Sequence, residues 1–441
     1  MTPNELLAIA MIAAFFVLLI VGIPVGIALA TSAFVFGYIG FGPALFGLLP
    51  SRIYGVVTNY TLMAIPLFVF MGVMLEKSRL AEELIDVVGH LFGNLRGGMG
   101  VAIILVGVLL GAATGIVGAT IVTLGLLTLP TLLRRGYSKT AATGMICASG
   151  TLGQIIPPSL VLILLADILQ ESVGTMFAAA MVPGLALAAV YVIAILGYAW
   201  AVPGAMPPIP VDERRAMSRG QLLRKVVLVV GPPIGLVVAV LGSIIGGIAA
   251  PTEAASMGAV GALAFVALSG RLTLSMLHQV ARSTLLISAM VFFILICAQV
   301  FGLAFRGLGG EGLVRGMFEW VPGGVTGALV FLMLIVFVLG FFLEWIEITY
   351  IALPLFLPFF MQAGVDPVWL GILICLNLQT SFLTPPFGWS LFFLKGVAPA
   401  GVSTGDIYRG ALPFIGLQMV ALALVFAMPG LATWLPNVIG W

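Results

Sequence analysis

The residues best suited to holding an ion or a small solute fall into two clusters with matched spacing. Pro130, Gly136, Pro157 and Pro158 recur as Pro358, Gly364, Pro385 and Pro386, separated by 6, 21 and 1 positions in both sets and offset by 228. Proline removes a backbone donor and clashes with the preceding turn, so each Pro-Pro pair predicts a break in a helix. In an apolar chain such breaks are tolerated only where the freed groups are buried in protein or line a cavity. Each break is preceded by a small-residue or polar stretch that could form a helical tip. The first cluster is Gly111, Thr114, Gly115 and Gly118 with Gly153, Gln154, Pro157 and Ser159. The second is Gly340 and Glu344 with Thr380, Ser381, Thr384, Pro385 and Gly388. Free carbonyls and hydroxyls are ligands that Na⁺ accepts, and a helix N-terminus attracts an anion. Thr114, Ser159, Thr384 and Gly388 are the residues expected to face a solute.

Glu344 is the most informative acid, because it lies in the apolar run LIVFVLGFFLEWIEITYIALPLF. An ionised carboxylate there costs about 3 kcal/mol on insertion scales, and a bound cation would offset it. Glu347 is one turn further on. Glu253 follows Pro251 and Thr252 at a helix start, where an acid complements the helix dipole. Asp167 is expected at a solvated helix end. There is no nucleotide-binding loop, no HExxH, no GxSxG and no cysteine pair. No catalytic constellation emerges, and no transition-metal site or cofactor is expected. Cys147, Cys297 and Cys375 sit in apolar segments as small core residues, and His90 and His278 stand alone on amphipathic stretches.

The elements that must position these clusters are membrane helices. Hydrophobic residues make up 62% of the 441 and charged ones 8%, against about 25% charged in soluble domains. Apolar runs near 20 residues recur throughout, which predicts an all-α polytopic membrane protein. The net charge of +2 offers no footing for nucleic acid. The polar stretch 202–225 carries Arg214, Arg215, Arg219, Arg224 and Lys225 and is expected to be a cytoplasmic linker. The first repeat, 1–201, then comprises scaffold helices over 1–76 (spans near 5–22, 26–48 and 60–76), the basic pair Lys77 and Arg79, and an interfacial helix at 80–94. A re-entrant hairpin at 98–133, a broken helix at 138–170 and a span at 175–200 follow. The second repeat, 226–441, has spans near 226–246 and 251–269, a short amphipathic stretch flanked by Arg271 and Arg282, a span near 284–305, then an interfacial piece at 311–320. A hairpin at 324–360, a broken helix at 367–396 and a last span at 411–435 complete it. Pro24 and Pro251, 227 apart, open the second helix of each half. This layout puts 15 of 18 basic residues inside, leaving Arg52, Arg306 and Arg315 outside with both termini. Opposite orientations of the two halves make this a pair of inverted-topology repeats.

The motifs resemble those of the large membrane subunit (DctM-like permease) of the tripartite ATP-independent periplasmic (TRAP) transporters. The matching stretches are IPLFVFMG (65–72), GAATG (111–115), LPTLLRRGYSKTAATG (129–144) and GTLGQIIPPS (150–159). APTEAA (250–255), GFFLE (340–344), LPFFMQAGVDPVWLGI (357–372) and LTPPFG (383–388) continue the match in order along nearly the whole chain. The resemblance implies an elevator-type fold of the ion-transporter superfamily, similar to divalent-anion/sodium symporters. It implies Na⁺-driven uptake of an organic acid across the bacterial inner membrane. It also implies two partners, a periplasmic substrate-binding protein and a small four-helix membrane subunit on a separate polypeptide. By resemblance, one Na⁺ site pairs Thr114 and Gly115 with Gly153 to Pro157, and a second pairs Glu344 with Thr380 to Pro385. The chain departs from relatives in having Ile116 where a second serine is common, and Glu344 where aspartate is common. GFFLEWIEI resembles the branch associated with 2-oxo acids and other monocarboxylates rather than C4-dicarboxylates. Two other readings remain open at this stage, a stand-alone sodium/organic-anion symporter and an intramembrane enzyme built on Glu344 and Glu347.

Overall fold

The computed structural model describes residues 2–78, 80–215 and 218–441. Arg79 lies outside them, as do the side chains of Ala113, Thr114, Arg214, Arg215 and Arg219. Among the described residues every regular element is a helix. Eight helices are long and apolar enough to cross a membrane, or ten if each sharply bent pair counts as one span.

Capping residues mark where helices begin, and they repeat with the halves. Ser138 accepts from Ala141 N–H at the start of the first broken helix, and Asp366 accepts from Trp369 N–H at the start of the second. These caps are 228 apart, and each follows a glycine with positive φ, Gly136 at +83° and Gly364 at +74°. A left-handed residue ends one helix and a polar cap starts the next, so each Gly-x-Ser/Asp unit is a compact turn.

Contacts between the halves are reciprocal. Val25–Phe41 packs on Leu274–Gly307, and its counterpart Pro251–Leu268 packs on Ala64–Lys77. Ala64–Lys77 also lies against its own counterpart, Leu274–Gly307. Arg271, just before the latter begins, donates from Nη1 to Ser78 O just after the former ends, at 3.2 Å. The two equivalent helices therefore run in opposite directions, and the repeats are inverted. The charged ends sort accordingly. Arg271 pairs with Glu83 (2.5 Å), Arg135 with Glu213 (2.6 Å) and Lys225 with Asp86 (3.8 Å), gathering the linker and the helix Leu80–Phe92 at one end. Glu5 lies near Gly309 and Gly312, and Trp441 shares a cleft with Thr61, Glu171 and Pro251.

Three boundaries differ from the sequence reading. The stretch expected as one span at 26–48 stops at Phe41, where Gly42 takes φ +58°, and a separate helix Ala44–Val57 follows. That helix and Thr61–Lys77 form a span bent by 54°. Its counterpart is the unbroken 34-residue helix Leu274–Gly307, not a short amphipathic stretch followed by a span at 284–305. No glycine or proline interrupts 274–301, so the polar turn around Arg282 simply continues the helix. The last span runs Thr404–Ala427 and a further helix, Gly430–Ile439, closes the described chain.

Candidate functional site

Each half builds one hairpin and one broken helix. The first hairpin has arms Gly98–Thr114 and Val117–Arg134, joined by Gly115 and Ile116. The first broken helix has limbs Lys139–Thr151 and Leu160–Leu169, separated by one 3₁₀ turn and Pro157-Pro158. In the second half the arms are Gly324–Leu339 and Trp345–Gln362, and the limbs are Pro367–Leu383 and Trp389–Val397. Both broken helices cover 31 residues, 139–169 and 367–397, and both break near the middle. Where these helices cross a bilayer, the breaks fall near mid-depth.

The first tip straddles its break. A Cβ on Gly111 would stand 2.5 Å from Gly153 Cα and 2.9 Å from Gly153 N, so only glycine lets these backbones touch. Gly115, at φ +62°, faces the start of the second limb, where a Cβ would meet Leu160 Cγ at 2.8 Å. The tip thus contacts the end of one limb and the beginning of the other. Gln154 is fully buried and its two side-chain polar atoms have no partner. Its carbonyl accepts from Ser159 Oγ (2.5 Å) and Cys375 Sγ (3.4 Å). Gly118 is placed elsewhere: its Cα faces the Phe393 ring on the opposite half's second limb. The Thr114 side chain lies outside the described set, so the tip is defined here by its backbone.

The second tip repeats the arrangement with different chemistry. Gly340 is pressed against the Ser381 side chain. Thr380, Ser381 and Thr384 donate their hydroxyl hydrogens to Leu376 O (2.8 Å), Leu378 O (2.8 Å) and Thr380 O (2.7 Å). With the hydrogens held back along the helix, the oxygen lone pairs are left to accept or ligate. Gly388 faces Phe382 O and Thr384 O across the Pro385-Pro386 break. Glu344 begins the returning arm and is half-buried, whereas Glu347 is buried. Glu347 Oε2 accepts from Glu344 N–H at 2.8 Å, so Glu347 shapes the tip. Glu253 lies in the first turn of its helix and also caps it, accepting from Ala250 N–H at 2.9 Å.

Side chains that the sequence reading passed over join the two sites. Gln379 Nε2 donates to Thr151 Oγ1 at 3.4 Å, and these residues are 228 apart. Equivalent positions that touch must lie on the internal two-fold axis, so the broken helices cross there. Gln418, from the last span, donates to the same hydroxyl at 3.3 Å. The first limb of each broken helix packs against the second limb of the other. Asn377 Nδ2 ties Met333 O of the second hairpin to this crossing at 2.6 Å. The available signal was a run of buried amides in otherwise apolar helices.

Asp167, half-buried near its helix end, is more than a solvated terminus. Its carboxylate accepts from Asn59 Nδ2 (2.5 Å), in the bend of the 44–77 span, and from Tyr350 OH (2.8 Å), on the second hairpin. One side chain therefore joins a scaffold bend, a broken helix and a hairpin. Nearby, partial burial and then the charge of Asp366 hold Glu171 above the usual carboxylate range. The influence of Asp366 on Glu171 places the end of one broken helix beside the start of the other. Among the described residues no three His, Cys, Asp or Glu side chains gather as metal ligands. The tips and breaks offer neutral oxygens and, in the second half, one carboxylate.

Comparison with known proteins gives this geometry a context. Residues 12–431 match the family model described as the tripartite ATP-independent periplasmic transporter, DctM component. The C4-dicarboxylate TRAP transporter large permease protein DctM of Pseudomonas aeruginosa is 32% identical, over 91% of this chain and 92% of its own length. The ectoine TRAP transporter large permease protein TeaC of Halomonas elongata is 30% identical, over 96% and 98%. The crystal structure of the Alcanivorax borkumensis YdaH transporter superposes with a TM-score of 0.62 at 14% identity, covering 100% of this chain and 99% of that one, which shows the shared fold. The matched hairpins, the broken helices and the family match lead to one conclusion: this chain belongs to the DctM family, the large permease component of tripartite ATP-independent periplasmic transporters.

Proposed function

We propose that this permease couples Na⁺ entry to uptake of a small organic anion across the bacterial inner membrane, by an elevator movement of the two hairpin–break units. It would work with a separate small membrane subunit and a periplasmic substrate-binding protein. Both termini would lie in the periplasm and the 202–225 linker in the cytoplasm. The observation that carries the reading is the pair of close approaches, Gly111 on Gly153 and Gly340 on Ser381. Each brings a hairpin tip onto a helix break whose carbonyls and hydroxyls suit a hard cation. The first Na⁺ site would use Gly111, Thr114 and Gly115 with Gly153, Gln154 and Pro157. The second would use Gly340 and Glu344 with Thr380, Ser381, Thr384 and Pro385. Ser159, Thr384 and Gly388 would meet the anion beside them, within the two helix breaks. Support for an organic acid comes from the dicarboxylate-named relatives, and the ectoine-named one shows that cargo varies within the family. The test is reconstitution with both partners and uptake from a panel of mono- and dicarboxylates, with and without a Na⁺ gradient. Uptake that is the same in both conditions would refute the coupling.

A further inference from the structure

Two of the three cations that charge placement leaves on the outer face, Arg52 and Arg306, line a single cleft of about 350 Å³. Its other polar walls are Gln170, Gln299, Tyr350 and Asp167. The cleft lies between the scaffold helices Ala44–Val57 and Leu274–Gly307 on one side, and the first broken helix and second hairpin on the other. Neither arginine has a carboxylate within salt-bridge distance among the described residues. Arg306 is half-buried and Arg52 is exposed. The Arg306 Nη2 lies 3.8 Å from where a Cβ on Gly302 would stand, so the guanidinium folds back along its helix into space that a side chain would narrow. Asp167, the one acid in the wall, already has an amide and a phenol on its two oxygens.

Two guanidiniums line one cleft whose single acid, Asp167, is already hydrogen-bonded, and the positive potential they leave there is one that a bound anion would relieve. We infer that this cleft is an outer vestibule that receives the carboxylate of the transported anion before it reaches the hairpin tips. The inference rests on the uptake reading above and adds a site lined by none of the residues of either break. Arg52 and Arg306 supply charge and fork geometry, while Gln170 and Gln299 supply neutral hydrogen bonds. Because the cleft walls come from both sides of the scaffold boundary, movement of the hairpin–break units would reshape it and release the anion.

The test places a reporter thiol in the cleft, Gln299→Cys, in the full chain in phosphatidylcholine nanodiscs. The parent chain gives the background of its three buried cysteines. Anionic and cationic methanethiosulfonates are compared, each normalised to its rate with a free thiol. The anionic reagent should react about tenfold faster, as fields in charged clefts allow. Arg52→Gln with Arg306→Gln should abolish the preference, and Arg52→Lys with Arg306→Lys should keep it. Acetate, pyruvate or succinate should slow labelling of the single-cysteine chain. A preference that survives the double glutamine change overturns the inference, as does labelling indifferent to all three acids. Slowing by added phosphatidylglycerol alone would also overturn it, naming a lipid headgroup as the occupant. In reconstituted uptake, the double glutamine variant should raise KM and leave kcat unchanged; a fall in kcat alone would refute the vestibule. Loss of Na⁺-driven uptake in the unmodified complex would instead count against the transport reading and leave the labelling result standing.

Discussion

Replacing Gly111 with alanine is the sharpest test of the paired-tip architecture. The added Cβ would stand 2.5 Å from Gly153 Cα and 2.9 Å from Gly153 N, and both are backbone atoms that cannot rotate away. Carbon atoms pack best at about 3.5–4.0 Å, so tip and break must separate by about 1–1.5 Å. Overpacking of this kind costs about 1–3 kcal/mol, which a folded membrane protein survives. The ion site is less tolerant. A misplacement of about 1 Å in a pre-organised site costs about 100-fold, so the Na⁺ concentration for half-maximal uptake should rise about 10- to 100-fold. The assay is uptake across a Na⁺ series, paired with thermal unfolding in detergent at low and high Na⁺. Ligand binding raises stability by RT ln(1 + [L]/Kd), so the parent should gain melting temperature with Na⁺ and Gly111→Ala should lose most of that gain. Gly197→Ala is the control, because a Cβ there meets nothing within 4 Å and should be neutral or slightly stabilising. Parental Na⁺ half-saturation and parental Na⁺-linked melting in Gly111→Ala would refute the idea that this contact forms an ion site.

Other perturbations separate structure from function. Gln154→Met replaces a buried amide whose polar atoms lack partners with an apolar chain of similar volume. It should stabilise the fold by about 1–3 kcal/mol while lowering uptake, and undiminished uptake would exclude Gln154 from the ion path. Glu344→Gln should weaken the Na⁺ dependence of uptake, with Glu344→Asp restoring part of it; an unaltered Na⁺ curve in the glutamine variant would remove the acid from the second site. Asp167→Asn takes the charge from the bonds to Asn59 and Tyr350. The loss, about 1 kcal/mol, should shift the balance between scaffold-docked and undocked forms about fivefold in single-molecule distance measurements, and an unchanged distribution would deny Asp167 a docking role.

How much of this was legible in the sequence depended on whether the signal was local. The matched prolines and glycines of each half could be read directly, because both residue types act on the backbone within a few residues. Glu344 stood out because an acid in an apolar run has few structural uses. The helix Ala44–Val57 was hidden, since its apolar residues continue those of the preceding span and only Gly42-Pro43 marks the break. The role of Asp167 was hidden because Asn59 and Tyr350, which bond to it, come from distant segments brought in by the fold. Gln379 and Thr151 meet across 228 residues, so nothing in either neighbourhood announces the other.

That meeting restricts what the crossing can be made of. Were the two halves identical, whatever stood at position 151 would face its own copy at 379. A lysine would confront a lysine and a glutamate a glutamate, deep in a dry interior. Only self-tolerant side chains could occupy such a seat, and a hydroxyl or an amide, able both to give and to take a hydrogen bond, is among the few polar ones that can. Once the halves diverge the seat becomes two, and each can specialise. Here threonine takes the receiving role and glutamine the giving one, so a single handshake at the centre records that the two halves are no longer interchangeable.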